Sequence, residues 1–277
     1  MRGLCRKLLI VAAGAGLAGP ALADSIHVPY RAVLAGIEIG AGALIVDVDD
    51  RGYRLTLDVL APESADGKAV RAKAHAAGRF ARLGLQPDLY SGDLDNAGVK
   101  RRVAIGFADG GIGMVAVLPP HPAGSGRTRP PASQTRGVID PLSALAIPAA
   151  PRGLAPLSAC GRTQRIFDGT MRYDVALFPS RAETIVVGSE SLATLVCRAE
   201  LRSNLGFPRP RTQLWPQPMP QGRRALIWLA PVAGGRLLVP VRLESDLRFG
   251  RLVIETTDPR VFGGAARAAA LRVPTAP

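Results

Sequence analysis

Few side chains of this 277-residue chain could carry out catalysis. A serine nucleophile needs a base, and the histidines that could serve are His27, His75 and His121. Ser125 lies in a Gly-Ser-Gly stretch of a proline-rich segment and lacks the spacing of a nucleophile elbow. No two histidines are spaced to bind a metal ion from one element. The sequence therefore predicts no catalytic residue, no metal ligand and no cofactor.

Two further patterns resemble ligand sites but have simpler explanations. Residues 14–19 match the glycine spacing of a dinucleotide-binding loop, but they lie in an N-terminal apolar segment rather than between a strand and a helix. Asp47, Asp49 and Asp50 could suggest calcium, yet the glycine and distal glutamate of a calcium loop are missing. A solvated hairpin tip is the favoured interpretation of the three aspartates.

The N-terminal segment, residues 1–23, has the layout of a secretory signal. Three basic residues precede an apolar run over residues 8–17, and small residues at 21 and 23 complete the cleavage pattern. We expect cleavage after Ala23 and a mature chain that begins at Asp24. The predicted location is periplasmic or secreted.

Cysteine usage supports this location. Cys5 is removed with the signal, which leaves Cys160 and Cys197. An exported protein with two cysteines most simply holds one disulfide. A redox pair would more often have C-x-x-C spacing, and a metal site would need further ligands nearby. The sequence therefore predicts a structural disulfide between Cys160 and Cys197.

The composition indicates many turns and a basic surface. The chain has 31 glycines, 24 prolines and only 5% aromatic residues, which favours short strands over long helices. Its formal net charge is +13, and removal of the three basic residues of the signal leaves it strongly basic. Such a field favours an anionic envelope surface over nucleic acid outside the cytoplasm. The alternative is a solvated basic surface with no partner.

The first half of the chain reads as strands. Residues 26–60 are rich in β-branched and aliphatic residues, and a turn at 49–52 precedes strict alternation from Tyr53 to Val59. A short helix is predicted over 63–73, where helix propensity is good. Further strands are predicted over 75–84, 86–93, 99–107 and 112–118.

The second half contains one more helix start and a second set of strands. Asp140 followed by Pro141 predicts a short helix that Pro148 ends. An Asp-Gly turn at 168–169 joins two strands in a hairpin. The predicted strands are 163–167, 171–178, 184–187, 191–200, 224–229, 237–243 and 252–256.

These elements predict a mainly β fold: a curved antiparallel sheet or open half-barrel of about 10–12 strands, with one or two short helices across its mouth or concave face. A two-sheet sandwich is the alternative. Residues 24–262 are expected to form a single β-rich domain. Its proline-rich loops are predicted at 119–137 and 208–222, and a loose tail follows at 263–277.

Two local patterns carry a family resemblance. They are the stretch 137–145, which contains Asp140, Pro141 and Ser143, and the stretch 166–169, which contains Phe167, Asp168 and Gly169. Local chemistry already explains the first pattern as a helix cap and the second as a hairpin turn. Together with Tyr30–Gly40, the segments around Cys160 and Cys197, and Arg172–Asp174, they resemble an uncharacterised family of exported bacterial proteins, domain of unknown function 3108.

The resemblance covers most of residues 26–256 and implies a periplasmic or envelope-facing protein with no assigned catalytic residue. Half-barrels of this shape are similar to lipoprotein- and lipid-carrier folds, which is an analogy of shape alone. We therefore expect a non-enzymatic envelope protein that holds a lipid or another apolar or amphipathic ligand in its curved sheet. An envelope scaffold that binds a protein partner is the alternative, and a cell-envelope hydrolase is less favoured.

Overall fold

β-strands make up almost all of the regular structure in a computed structural model of the chain. The structure describes residues 24–61, 69–81, 84–96, 98–120, 130–149, 157–205 and 224–262. The strands are β1 (Asp24–Leu34), β2 (Ile37–Val48), β3 (Tyr53–Ala61), β4 (Val70–Ala81), β5 (Gly84–Asn96), β6 (Val99–Ala108), β7 (Gly111–Leu118), β8 (Ile147–Pro148), β9 (Arg162–Phe167), β10 (Arg172–Val187), β11 (Glu190–Leu205), β12 (Arg224–Val232), β13 (Leu237–Leu247) and β14 (Gly250–Thr256). One helical turn, α1 (Leu157–Cys160), and short 3₁₀ turns complete the described elements.

The strands form one open antiparallel sheet. Its order is β7-β6-β5-β4-β3-β2-β1-β14-β13-β12-β11-β10-β9. The short strand β8 pairs with Leu237 and Leu238 at the start of β13, where β13 is not paired with β14. The mainly β prediction is confirmed, and the structure has one continuous sheet rather than the two of the alternative. The end strands β7 and β9 are not hydrogen-bonded to each other, so the sheet does not close into a barrel.

The predicted hairpins are confirmed, and their turn chemistry explains them. In the β2–β3 turn, one carboxylate oxygen of Asp49 accepts the amide hydrogens of Arg51 and Gly52, at 2.8 and 2.9 Å. Val46 and Leu55 are buried, while Arg54 between the inward residues of β3 is exposed. The period of two in the sequence therefore reports one dry face and one wet face.

The helix predicted over 63–73 is wrong where it can be compared. Residues 70–73 belong to β4 and pair with β3 and β5, and residues 62–68 lie outside the described part of the chain. Alanine and lysine have good helix propensity, but here the alanines at 72, 74 and 76 alternate with charged or polar residues. Pairing on both sides overrides local propensity.

The second predicted helix is shorter than expected. After Asp140 the chain makes a 3₁₀ turn over Ser143–Leu145 and then pairs with β13 through β8. No long helix crosses the sheet in the described residues, because the segment from Gly137 to Pro148 crosses it as an irregular strap.

Strand β10 is longer than predicted. The sequence predicts separate strands over 171–178 and 184–187. The structure keeps β10 paired with β11 throughout and absorbs Pro179 in a register shift next to Arg181. A bulge lets a proline remain within a strand without ending it.

Several predicted segments lie wholly or partly outside the described residues. They are the signal segment 1–23, the loop 208–222 and the tail 263–277. Of the predicted loop 119–137, residues 119–120 and 130–137 are described, and a 3₁₀ turn over Ala132–Gln134 is followed by the buried Thr135. Among the described helices, none is long and apolar enough to cross a membrane.

The core has two main parts. The larger cluster includes Val28, Leu44 and Leu55 from the first strands, Trp228 and Val239 from the last ones, and Phe262 from the 3₁₀ turn after β14. A second cluster surrounds the disulfide between Cys160 and Cys197, whose Cα atoms are 5.4 Å apart. Both cysteines are fully buried, so the predicted disulfide is present and joins α1 to β11.

We predict that the double substitution Cys160→Ala, Cys197→Ala lowers the free energy of unfolding by about 4 kcal/mol, because the bond closes a loop of chain in the unfolded state. The two cysteines are 37 residues apart in sequence. Urea denaturation of the wild type with and without reductant provides the comparison. Equal midpoints for the oxidised wild type and the double variant would contradict a stabilising role.

Candidate functional site

The carboxylate of Asp140 organises the strap from Gly137 to Pro148. One of its oxygens accepts the amide hydrogens of Leu142 and Ser143, at 2.9 and 2.8 Å, and the other accepts the hydroxyl of Ser143 at 2.5 Å. Asp140 is completely buried. A buried carboxylate needs such donors, so the strap can turn at this point only with an aspartate or a close substitute.

Ser143 connects this cap to the sheet. Its hydroxyl oxygen lies 2.8 Å from the phenolic oxygen of Tyr53 on β3, and Tyr53 and Ser143 are both buried. Burial raises the pKa of Asp140 above the usual range of an aspartate, although its hydrogen bonds from Ser143 and Leu142 act in the opposite direction. Burial also raises the pKa of Tyr53. The chain Asp140–Ser143–Tyr53 thus fixes the strap on β3.

The strap also pairs with the end strand β9. The amide of Ile139 donates to the carbonyl of Arg165 at 2.8 Å, and the amide of Phe167 donates to the carbonyl of Ile139 at 2.9 Å. Ile139 and Ile166 form a parallel bridge. The two sequence patterns around Asp140 and Phe167 are therefore neighbours in space, which the sequence did not predict.

The Asp168–Gly169 turn then contacts the other end of the sheet. Asp168 accepts the amide hydrogens of Thr170 and Met171 at 2.8 and 2.7 Å, as a hairpin turn requires. Gly169 has φ +96°, and a Cβ atom there would lie 2.5 Å from a methyl carbon of Val103 on β6. The turn therefore needs glycine for its conformation and for its close approach to β6.

These contacts form a seam between the two ends of the open sheet. Phe167, Val138 and Ile105 share a buried cluster that joins β9, the strap and β6. The amide of Gly137 donates to the carbonyl of Gly110 in the β6–β7 turn at 2.8 Å. Asp140, Ser143, Phe167, Asp168 and Gly169 all contribute to this seam. Pro141 follows Asp140 in the strap and is half-buried.

The seam contains further titratable groups that the sequence did not single out. Burial raises the pKa of Tyr90 and of Tyr173, and the nearby carboxylates of Asp140 and Asp168 raise both further. Phenols with raised pKa stay neutral at physiological pH. Only the spatial proximity of these strands reveals the cluster.

The two histidines in the described part of the chain lie away from the seam. His27 and His75 are exposed, and a ring nitrogen of His75 lies 3.0 Å from the hydroxyl oxygen of Thr56. His121 lies outside the described residues. Within the described ranges, no group of three or more His, Cys, Asp or Glu side chains could hold a metal ion.

An open groove of about 830 Å³ runs across strands β1–β7. Strand pairing aligns one row of its residues from β1 to β7, namely Pro29, Ala43, Asp58, Lys73, Asp93, Arg102 and Leu118. In β1 the lining residues are His27 and Pro29, while Val28 between them points into the core. The groove therefore lies on the face of these strands opposite the main core.

The groove combines apolar and charged side chains. Lys73 lies 3.6 Å from Asp58 and Arg102 lies 2.6 Å from Asp93, so these two cations are neutralised by ion pairs. In the adjacent row, Arg71 and Lys100 flank Asp95 in the pairing register, and neither forms an ion pair with a described residue. Leu60 and Leu118 are about half-exposed beside them.

The comparisons with known proteins give a family but no function. Residues 28–257 match the family described as "Protein of unknown function (DUF3108)", which is most of the chain. The chain therefore belongs to this family, and the resemblance in the sequence is confirmed. No curated protein and no solved structure shows a significant similarity to the chain.

We predict that Asp140→Ala lowers the free energy of unfolding by about 3 kcal/mol, because buried amide and hydroxyl donors lose their acceptor. Urea denaturation followed by circular dichroism measures the change. Asp50→Ala is the control, since the side chain of Asp50 is 90% exposed, and it should change stability by less than about 0.5 kcal/mol. Similar losses in both variants would show that the cap does not hold the seam.

A pair of glycine substitutions tests the close approach of β9 to β6. Gly169 and Gly188 both have positive φ, but a Cβ at Gly188 would meet no atom within 4 Å. We expect Gly188→Ala to cost about 1 kcal/mol from backbone strain alone. Gly169→Ala should cost about 3 kcal/mol, because it adds a clash with Val103. Equal unfolding midpoints would contradict the contact.

Proposed function

We propose that this protein is an exported, non-enzymatic envelope protein that binds an anionic amphiphile, such as a lipid with a phosphate group, in the groove on β1–β7. The groove, with its apolar and cationic lining, is the observation that supports this function. Its volume of about 830 Å³ lies within the range typical of small-molecule sites.

The apolar part of the groove suits an acyl chain. Pro29, Ala41 and Leu60 line it on β1–β3, and Leu118 and Pro119 line its other end. The aliphatic stems of the lysines and arginines add further apolar surface. Each methylene group of a ligand that leaves water there contributes about 0.8 kcal/mol.

The charges of the groove favour an anionic group on the ligand. Arg71 and Lys100 can each donate to a phosphate or carboxylate without first breaking an ion pair to a described residue. A curved sheet predicts a ligand in its concavity, but the strap and the core cluster occupy the inner face of this sheet. The opposite face of β1–β7 remains open to a ligand.

Two features support the exported location. A buried disulfide is typical of proteins that fold in an oxidising compartment. The segment before Asp24 has the basic, apolar and small-residue parts of a secretory signal. The net charge of +13 suits work near anionic envelope surfaces.

One observation favours the alternative function, an envelope scaffold. Strand β7 (Gly111–Leu118) is an end strand of the sheet and contains no charged residue. Met114 and Leu118 on it are more than half exposed. Uncharged edge strands can pair with a strand of another protein.

Native mass spectrometry of the protein exported from expressing cells tests the principal proposal. We expect a polypeptide mass that starts at Asp24 and a bound anionic amphiphile. With palmitoyl lysophosphatidylglycerol as the probe, the double variant Arg71→Glu, Lys100→Glu should bind about tenfold more weakly, since two favourable charges become repulsive. Lysophosphatidylcholine binding should change less.

The matched control is Arg165→Glu, Arg198→Glu, which reverses two exposed charges on β9 and β11 outside the groove. It should bind the probe like the wild type. Equal weakening in both double variants would indicate a general charge effect and contradict a groove site. A single protein partner captured by crosslinking in cells, with no lipid bound, would favour the scaffold instead.

A further inference from the structure

The strands run between two rims of the sheet, and these rims differ in chemistry. Because the strands are antiparallel, the C-terminal ends of β1, β3, β5, β7 and β13 share one rim with the N-terminal ends of β2, β4, β6 and β14. Of the ten exposed large apolar side chains in the described residues, seven lie at this rim: Ile37, Ile39, Val59, Leu60, Val99, Leu118 and Phe249.

The opposite rim of the sheet is polar. Its turns contain Asp49 and Asp50 between β2 and β3, Asp109 between β6 and β7, and Ser189 between β10 and β11. Val186 is its exposed large apolar residue among those described. The sheet is therefore amphipathic along its strands as well as across its faces.

Two adjacent turns carry the most exposed apolar side chains of the described chain. Phe249 in the β13–β14 turn is 77% exposed, and Ile37 next to the β1–β2 turn is 70% exposed. The turns lie side by side, because the amide of Ala35 donates to the carbonyl of Arg251 at 3.0 Å. We call these two turns, with Ile37 and Phe249, the apolar tip.

Arg248 places a cation beside the apolar tip. Its guanidinium lies 5.8 Å from the ring centre of Phe249, and Arg248 forms no ion pair with a described residue. Arg251 is paired with Asp246 at 3.2 Å, and Glu38 is an exposed acid next to the tip. Arg248 is therefore the cation of the tip that is available to lipid phosphates.

We propose that the apolar tip docks on an anionic lipid bilayer and inserts Ile37 and Phe249 into its interface. An arginine beside an exposed aromatic ring suits this boundary, because the ring enters the apolar layer while the guanidinium reaches lipid phosphates. The proposal does not depend on a ligand in the groove, since the groove lining does not include either residue.

A bilayer fits the tip better than a protein partner. A stable protein interface buries about 800 Å² on each side, in a broad and closely packed patch. The tip offers two protruding side chains on two narrow turns. Shallow insertion into lipid needs only such protrusions and a cation beside them. This position would also bring the end of the groove at Leu60 and Leu118 near the bilayer.

Cosedimentation with vesicles tests the proposal. The probes are phosphatidylcholine vesicles with and without phosphatidylglycerol, and the variant is Ile37→Ser, Phe249→Ser. The control is Met114→Ser, Val186→Ser, two substitutions at other exposed apolar positions. All the proteins begin at the same residue, so the N-terminal segment contributes equally to vesicle binding in each of them. We expect the tip variant to bind phosphatidylglycerol vesicles about tenfold more weakly than the control.

Two further measurements make the outcome decisive. Arg248→Glu should weaken binding to phosphatidylglycerol vesicles and have little effect on phosphatidylcholine vesicles. Lysophosphatidylglycerol binding should be unchanged in the tip variant, which separates loss of the tip from failure of the groove proposal. Equal vesicle binding by the tip variant and the control would overturn the docking proposal. So would concentration-dependent self-association that only the tip variant loses, because it would identify the tip as a protein contact.

Discussion

The fold depends on holding together the two ends of an open sheet. End strands expose unpaired backbone groups, and in a sheet that does not close, no hydrogen bonds between the two end strands hold them in position. Here a buried carboxylate, Asp140, fixes a strap that hydrogen-bonds to β9 on one side and contacts the β6–β7 turn on the other. A buried carboxyl group in this position is tolerated because two amides and a hydroxyl form hydrogen bonds with it.

Because of this constraint, the residues that carry the family resemblance have a structural role. Asp140 and Ser143 build the cap, Phe167 fills the seam, and Gly169 allows β9 to approach Val103. These residues make hydrogen bonds and close packing contacts, and the exposed His27 and His75 lie elsewhere. The functional proposals therefore rest on surfaces that the seam leaves open, namely the groove and the apolar tip.

The strap also closes the inner face of the sheet to a ligand. A curved sheet read from sequence suggests an empty hollow, but the strap crosses the inner face and Tyr53 binds it there. Leu142 and Ala146 of the strap belong to the same buried cluster as Val28 and Leu44. The inner face of β1–β5 is thus used for stability, and the charged outer face carries the groove.

Much of the local structure could be predicted from the sequence. Alternating residues fix which face of β3 is dry, Asp49 and Asp168 set their turns through their own backbone neighbours, and the pair Cys160 and Cys197 leaves one disulfide. The strand faces and the turns depend on residues close in sequence, and two cysteines allow only one pairing. The helix predicted over 63–73 failed because pairing with β3 and β5 outweighs the propensity of single residues.

The contacts between residues distant in sequence are visible only in the folded chain. Asp140 and Phe167 are named by their patterns, but nothing local places Ile139 beside Ile166 or Gly169 beside Val103. The groove likewise depends on the register of seven strands, and the apolar tip on two turns far apart in the chain. Register across a sheet is set by long-range pairing and packing, which a single sequence does not display.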